Sequence, residues 1–168
     1  GFMTSVKNQG DCGSCWAFAT AGMFESVIKK TFAVTENLSE QQLISCNSSG
    51  YSCDGGWFVP EIYNDGAVKE TSFPYKEACV SCKTGCKKYY HSTGCKFLKA
   101  DGIPSVTALK NALYKYGAVA ASVYVDDRFQ YYKTGVFNGK AKGEVNHAII
   151  ITGWDDEKQA WRIKNSWG

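Results

Sequence analysis

Residues Asp11-Cys12-Gly13-Ser14-Cys15-Trp16-Ala17-Phe18 decide how this chain is read. They place a thiol at the start of a helix. Ser14 suits a helix N-terminus, and only Gly22 interrupts Trp16 to Lys30. Apolar Ala17, Phe18, Ala21, Phe24, Val27 and Ile28 recur at steps of three or four, which predicts one buried helical face. A cysteine at such a start meets unpaired backbone N–H groups and the positive end of the helix dipole. Both favour the thiolate, which is the nucleophilic form. An activated thiol is therefore expected at Cys15, with a pKa held down by the helix start.

Working outward, Gln9-Gly10 precedes this stretch and Leu38-Ser39-Glu40-Gln41-Gln42-Leu43 and Cys46 follow it. Cys53-Asp54-Gly55-Gly56 comes next, and Asn146-His147-Ala148 and Asn165-Ser166-Trp167-Gly168 lie far downstream. In order and spacing these motifs resemble the papain and cathepsin family of cysteine proteases. That family's signature is Cys-Gly-Ser-Cys-Trp, with a His and an Asn roughly 130–150 residues later. The resemblance extends from about residue 3 to the last residue, and residues 76–106 match poorly.

The resemblance implies an α+β, two-lobe fold: a helical left lobe, a β-barrel-like right lobe, and an active-site cleft between them. One peptidase domain over 1–168 is expected, with 1–105 as the helical lobe and its Cys-rich loop and 106–168 as the β lobe. Pattern agrees in outline. Ser39 and Gln42 have the form of a capping box, stapled by Leu38 and Leu43. A short helix after Gly56 should start near Pro60 and end near Asp65-Gly66. Thr107 to Tyr116 reads as a helix, with Ala108, Leu109, Ala112 and Leu113 inward and Gly117 as its C-terminal cap. Val119–Val125, Ala148–Gly153 and Trp161–Lys164 read as strands.

The resemblance also assigns roles. Cys15 would be the nucleophile, His147 its imidazolium partner, Asn165 the group that orients the imidazole, and Gln9 an oxyanion donor. Trp16 and Trp167 would support the site, Trp167 by covering the His–Asn hydrogen bond. Gly55 and Gly56 would pair with an extended substrate backbone. Phe58, Ser122, Val145 and Ala148 would line the pocket for the second residue before the scissile bond, which should then be apolar. Disulfides Cys12–Cys53 and Cys46–Cys82 are implied, leaving Cys79, Cys86 and Cys95 unassigned. Other readings stand beside these. Cys12 and Cys15 could be a redox pair, but such a protein needs no distant His and Asn motifs. A relative without activity could bind peptides or serve a structural role, although a dead relative usually loses the Cys or His.

Composition bounds the rest. Of 168 residues, 44% are hydrophobic and 21% charged, an ordinary globular balance. A net charge of +3 argues for neither nucleic acid nor an anionic membrane as partner. No apolar run is long enough to span a bilayer. Eight cysteines point to an oxidising compartment, secreted or lysosomal/vacuolar. Cys79, Cys82, Cys86 and Cys95 with His91 nearby have zinc-like crowding. Zinc would leave Cys46 without its partner, so no metal and no cofactor are expected. The lysines of 83–99 read as a solvated loop, with a polyanion patch as the alternative. Asn37 and Asn47 head glycosylation sequons. By resemblance, further chain is expected at both ends, including a signal peptide and an inhibitory prosegment. Expected partners are protein and peptide substrates, that prosegment and cystatin-like inhibitors, with the protein a monomer.

Overall fold

The computed structural model describes residues 1–168. Helix α1 spans Cys15–Phe32 and α2 spans Glu40–Cys46. A 3₁₀ helix covers Pro60–Asp65. Strands β1 (Ala67–Val68) and β2 (Lys88–Tyr89) make a small antiparallel pair. Helix α3 (Val106–Tyr116), strand β3 (Val119–Val123), the single turn α4 (Asp127–Gln130), β4 (His147–Asp155) and β5 (Ala160–Lys164) complete the chain.

Helix α1 is the centre of the molecule. It is buried on more than the one face its sequence predicts: Trp16, Ala19, Thr20, Gly22, Glu25 and Ser26 are buried along with Ala17, Ala21 and Ile28. Phe24 and Val27, expected inside, are only partly buried. Two layers cover the helix. Trp16, Ala17, Ala21 and Ile28 face Leu38, Leu43, Ile44 and Tyr63 in the helical half. Ala19 faces Ala118, Ala148 and Ile150 of the sheet. Gly22 permits the close approach, because a Cβ there would sit 2.5 Å from Ile150 Cδ1. Small residues on α1 thus bring its first turns against β4.

The sheet order is β3-β4-β5, all antiparallel, and it does not close into a barrel. Its other face packs on α3 through Leu109, Leu113, Ile149 and Ile151. Ser105 caps α3 through Ala108 N–H, and Gly117 N–H returns to the Leu113 carbonyl. The α2 cap is half of what its sequence predicts. Ser39 Oγ accepts from Gln42 N–H at 3.0 Å, but Gln42 does not reach back. Its amide instead donates to Gly66 O and accepts from Val68 N–H, while Ser39 N–H goes to Val68 O. Tertiary partners took the donors and acceptors that a solvated box would have kept.

Disulfides join Cys12 to Cys53 and Cys46 to Cys82. Cys15, Cys79, Cys86 and Cys95 are free thiols. The four cysteines of 79–95 do not converge on a metal site: Cys82 is bridged to Cys46, and Cys79 lies against Cys53. The nearby lysines go separate ways, Lys83 to Ser72 O, Lys88 to Asp65 and Lys87 over the Tyr89 ring. His91 is exposed, with Nδ1 3.2 Å from Asn64 O.

Candidate active site

Cys15 is the first residue of α1 and half-buried. It packs against Ala148, which buries the thiol where α1 meets the start of β4. Burial pushes the Cys15 pKa up, and the backbone N–H groups of Ala148, Trp16 and Cys15 itself pull it back without reversing the shift. For Cys15 taken alone, desolvation outweighs these backbone N–H groups. His147, next in chain to Ala148, is pushed the other way. Burial lowers its pKa, and the Asn165 hydrogen bond partly opposes that. Each group by itself is driven toward neutrality.

His147 opens β4 and Asn165 follows the last residue of β5, so the antiparallel pairing brings them together. His147 Nε2 is 2.7 Å from Asn165 Oδ1. Ser166 N–H donates to the same Oδ1 at 2.9 Å, which identifies that atom as the acceptor and Nε2 as the protonated nitrogen. Nδ1 is left to exchange a proton elsewhere. Trp167 stacks on the imidazole, ring centroids 4.7 Å apart, and Phe129 meets Trp167 edge-on.

From Asn165 the hydrogen bonds continue to the thiol's own loop. Ser166 Oγ donates to Gln9 Oε1 at 2.6 Å, and Gln9 N–H donates to Ser166 O. Gln9 Nε2 donates to Cys12 O at 2.9 Å, which uses one of its two amide hydrogens. Tyr75 was missed by sequence reasoning, since it carries no motif. Its hydroxyl donates to Gln9 O at 2.6 Å and meets Ser14 Oγ at 2.7 Å. Ser14 is thus committed to Tyr75 and makes no side-chain cap on α1. Nothing in its motif singles out Ser166.

The turn at 52–55 is held beside the helix start. Gly13 N–H donates to Cys53 O at 2.7 Å, and Trp16 Nε1 donates to Ser52 O. A Cβ on Gly56 would come within 2.8 Å of the Trp16 ring, so glycine is required by packing. The expected pocket residues assemble in part. Phe58 packs on the cluster containing Ala148, and Ser122 lies opposite Ala148 in the β3–β4 register. Val145 is 51% exposed, two residues before β4 begins.

Beneath the site is a buried charge cluster that the sequence did not announce. Lys7 pairs with Glu25 at 2.9 Å and Glu40 at 2.6 Å, both carboxylates being almost fully buried. Lys164 Nζ donates to Thr4 Oγ1, which donates to Glu25. Burial pushes the Glu40 carboxyl up to about 7, against the pull of Lys7, and Glu40 Oε2 has no partner. Lys7, Glu25, Glu40 and Lys164 line a cavity of about 10 Å³ that also touches Asn165 and Ser166.

The site thus holds a half-buried thiol at a helix start, an imidazole held by an amide oxygen, and an amide beside the thiol's own loop. The profile of the papain family cysteine proteases matches residues 1–168, and the chain belongs to that family. It is 38% identical over 178 residues to ananain of Ananas comosus and 34% identical over 181 residues to cathepsin K of Mus musculus. All of this chain is covered in both, but it spans only 50% of the first and 53% of the second. A solved bromelain from Ananas comosus, in complex with an inhibitor, superposes with a TM-score of 0.85 at 37% identity. That match covers 99% of this chain and 79% of the other. A recombinant stem bromelain precursor superposes at 0.83 and 36% identity, covering 99% and 56%.

Proposed function

We propose that the protein carrying this chain is a cysteine endopeptidase that cleaves peptide bonds through a Cys15–His147 ion pair and an acyl-enzyme. The observation that carries this reading is the fixed imidazole. His147 Nε2 is committed to Asn165 Oδ1 at 2.7 Å beneath Trp167, with the thiol packed against the neighbouring Ala148. In this reading Cys15 gives its proton to His147 Nδ1, and the thiolate attacks the scissile carbonyl. The oxyanion is met by the Cys15 N–H and by the second amide hydrogen of Gln9. His147 then protonates the departing amine. It next takes a proton from the water that attacks the thioester.

Substrate would bind extended along Gly55 and Gly56, its second residue before the scissile bond against Phe58, Ala148 and Ser122. Those walls favour an apolar side chain. Val145 would border the mouth of that pocket. Residues 1–105 and 106–168 serve as the two lobes. No helix is long and apolar enough to cross a membrane. A secreted or lysosomal monomer, held inactive by a prosegment and inhibited by cystatin-like proteins, fits this reading.

The test is turnover of fluorogenic peptides by the full-length, processed protein. Wild type should cleave peptides with Leu or Phe at that position, and a thiol-reactive epoxide should label Cys15 and stop turnover. Cys15→Ala should be inactive. Residual turnover in Cys15→Ala near that of wild type would overturn the proposal.

A further inference from the structure

Cys79 is a free, exposed thiol in the segment between Tyr75 and β2. Its position is nevertheless fixed. Lys76 N–H donates to Gln41 Oε1 at 2.8 Å, and Gln41 Nε2 donates to Ala78 O at 3.0 Å. Gln41 is fully buried, so α2 holds this segment from below. Glu77 accepts from Asp11 N–H at 2.6 Å, which draws the same segment across the loop that carries Cys12. Between these anchors the Cys79 sulfur accepts the backbone N–H of Cys53 at 3.3 Å. Cys53 is one half of the Cys12–Cys53 bridge. A free thiol is thus held against the backbone of a disulfide-bonded cysteine.

We propose that Cys79 is an exchange partner of the Cys12–Cys53 bridge. The chain then has a second covalent form, with Cys53 bonded to Cys79 and the free thiol on Cys12. The step balances without an oxidant. Cys79 loses its proton to water, and its thiolate attacks Cys53 Sγ. The Cys53–Cys79 bond forms, the Cys12–Cys53 bond breaks, and the electron pair leaves on Cys12 Sγ, which takes a proton from water. The number of free thiols stays the same, and only their identity changes.

Chain entropy allows both forms. The two bridges close loops of 41 and 26 residues, and closure entropy varies slowly over that range. Cys82, three residues beyond Cys79, is already bonded to Cys46. Cys86 and Cys95 make no contact with Cys53, with the Cys86 sulfur facing Ser72 O and Cys95 lying near Glu61. Exchange would remove the covalent tie between the loop bearing Gln9, Cys12 and Cys15 and the turn at 53–56, which would then be tied through Cys53 to residue 79. The proposal does not depend on peptidase activity.

The experiment uses the full-length protein carrying Cys15→Ser, which rules out self-digestion and removes that thiol from the exchange. Samples are held without added thiol at about pH 5 and about pH 8.5, because exchange needs the thiolate. They are then quenched in acid, labelled with N-ethylmaleimide and mapped without reduction. The expected result is a Cys53–Cys79 linked peptide that grows at the higher pH, matched mole for mole by label gained on Cys12 and lost from Cys79. Cys79→Ser should abolish that signal, and Cys86→Ser should leave it intact. The proposal is overturned if Cys12 stays unlabelled at the higher pH. It is equally overturned if Cys86 and Cys95 join Cys12 or Cys53 as readily as Cys79 does.

Discussion

Gln9 and Asn165 are joined through one intervening side chain. Ser166 N–H donates to Asn165 Oδ1, and Ser166 Oγ donates to Gln9 Oε1 at 2.6 Å. The group that orients the imidazole and the group beside the thiol's loop therefore share a scaffold. Neither can shift without pulling on the other, and their loss should be read in separate kinetic signatures.

Asn165→Ala removes the acceptor for His147 Nε2. A hydrogen bond to a charged partner contributes about 1.5–3 kcal/mol, so turnover should fall roughly 10- to 100-fold. The Asn165 bond also raises the His147 pKa. Its removal should move the alkaline limb of the kcat/KM profile to lower pH, because the imidazolium is lost earlier. A pH–rate profile measures both effects. An unshifted alkaline limb with normal turnover would show that the imidazole does not need this partner.

Gln9→Ala should lower kcat strongly and KM little, while Cys15 still alkylates. Losing one oxyanion donor typically costs on the order of 100-fold or more, about 3 kcal/mol. Gln9→Glu should be no better, since a carboxylate repels the developing negative charge. If steady-state kinetics gave a raised KM with wild-type kcat, Gln9 would be a substrate-positioning residue.

Glu40 sets a pH window on stability. Its folded pKa is pushed up to about 7, above its ordinary value of 4.5. The folded state therefore binds more protons than the unfolded state between those values, and stability falls as pH rises through that window. Below 4.5 the contribution is fully present, and above about 7 it is gone. Thermal melts should show the wild-type midpoint dropping from pH 5 to pH 8 more steeply than that of Glu40→Gln, which cannot titrate. Parallel slopes in the two proteins would count against a titrating Glu40.

Tyr75→Phe deletes the hydroxyl that bridges Gln9 O and Ser14 Oγ. Ser14 is fully buried and keeps only a long 3.4 Å contact with Cys12 O. Leaving a buried polar group poorly satisfied costs about 1–3 kcal/mol. Urea unfolding should report a loss of that size. A change near zero would mean that the Tyr75 hydroxyl makes no net contribution there.

The local sequence determined the helix that begins at Cys15, the Ser39 cap, the Gly117 stop and the strands at Val119, Ala148 and Trp161. Caps, period and β-branched runs act over a few residues, so neighbours in sequence suffice to set them. The motifs at Gln9, Cys15, His147 and Asn165 were legible for the same reason: each needs a particular side chain at a fixed offset. Tertiary structure alone decided the rest. It buried α1 nearly all round between two layers, because Ala19 and Gly22 admit β4 where a polar face would have met water. It redirected Gln42 and Ser14 to distant partners, and it placed Tyr75 under the thiol's loop. It also raised the Cys15 pKa, since desolvation depends on what packs against a residue and not on its place in a helix. The Lys7–Glu25–Glu40–Lys164 cluster and the meeting of Cys79 with Cys53 belong to the same class. Their members come from separate segments of the chain, and only folding makes them neighbours.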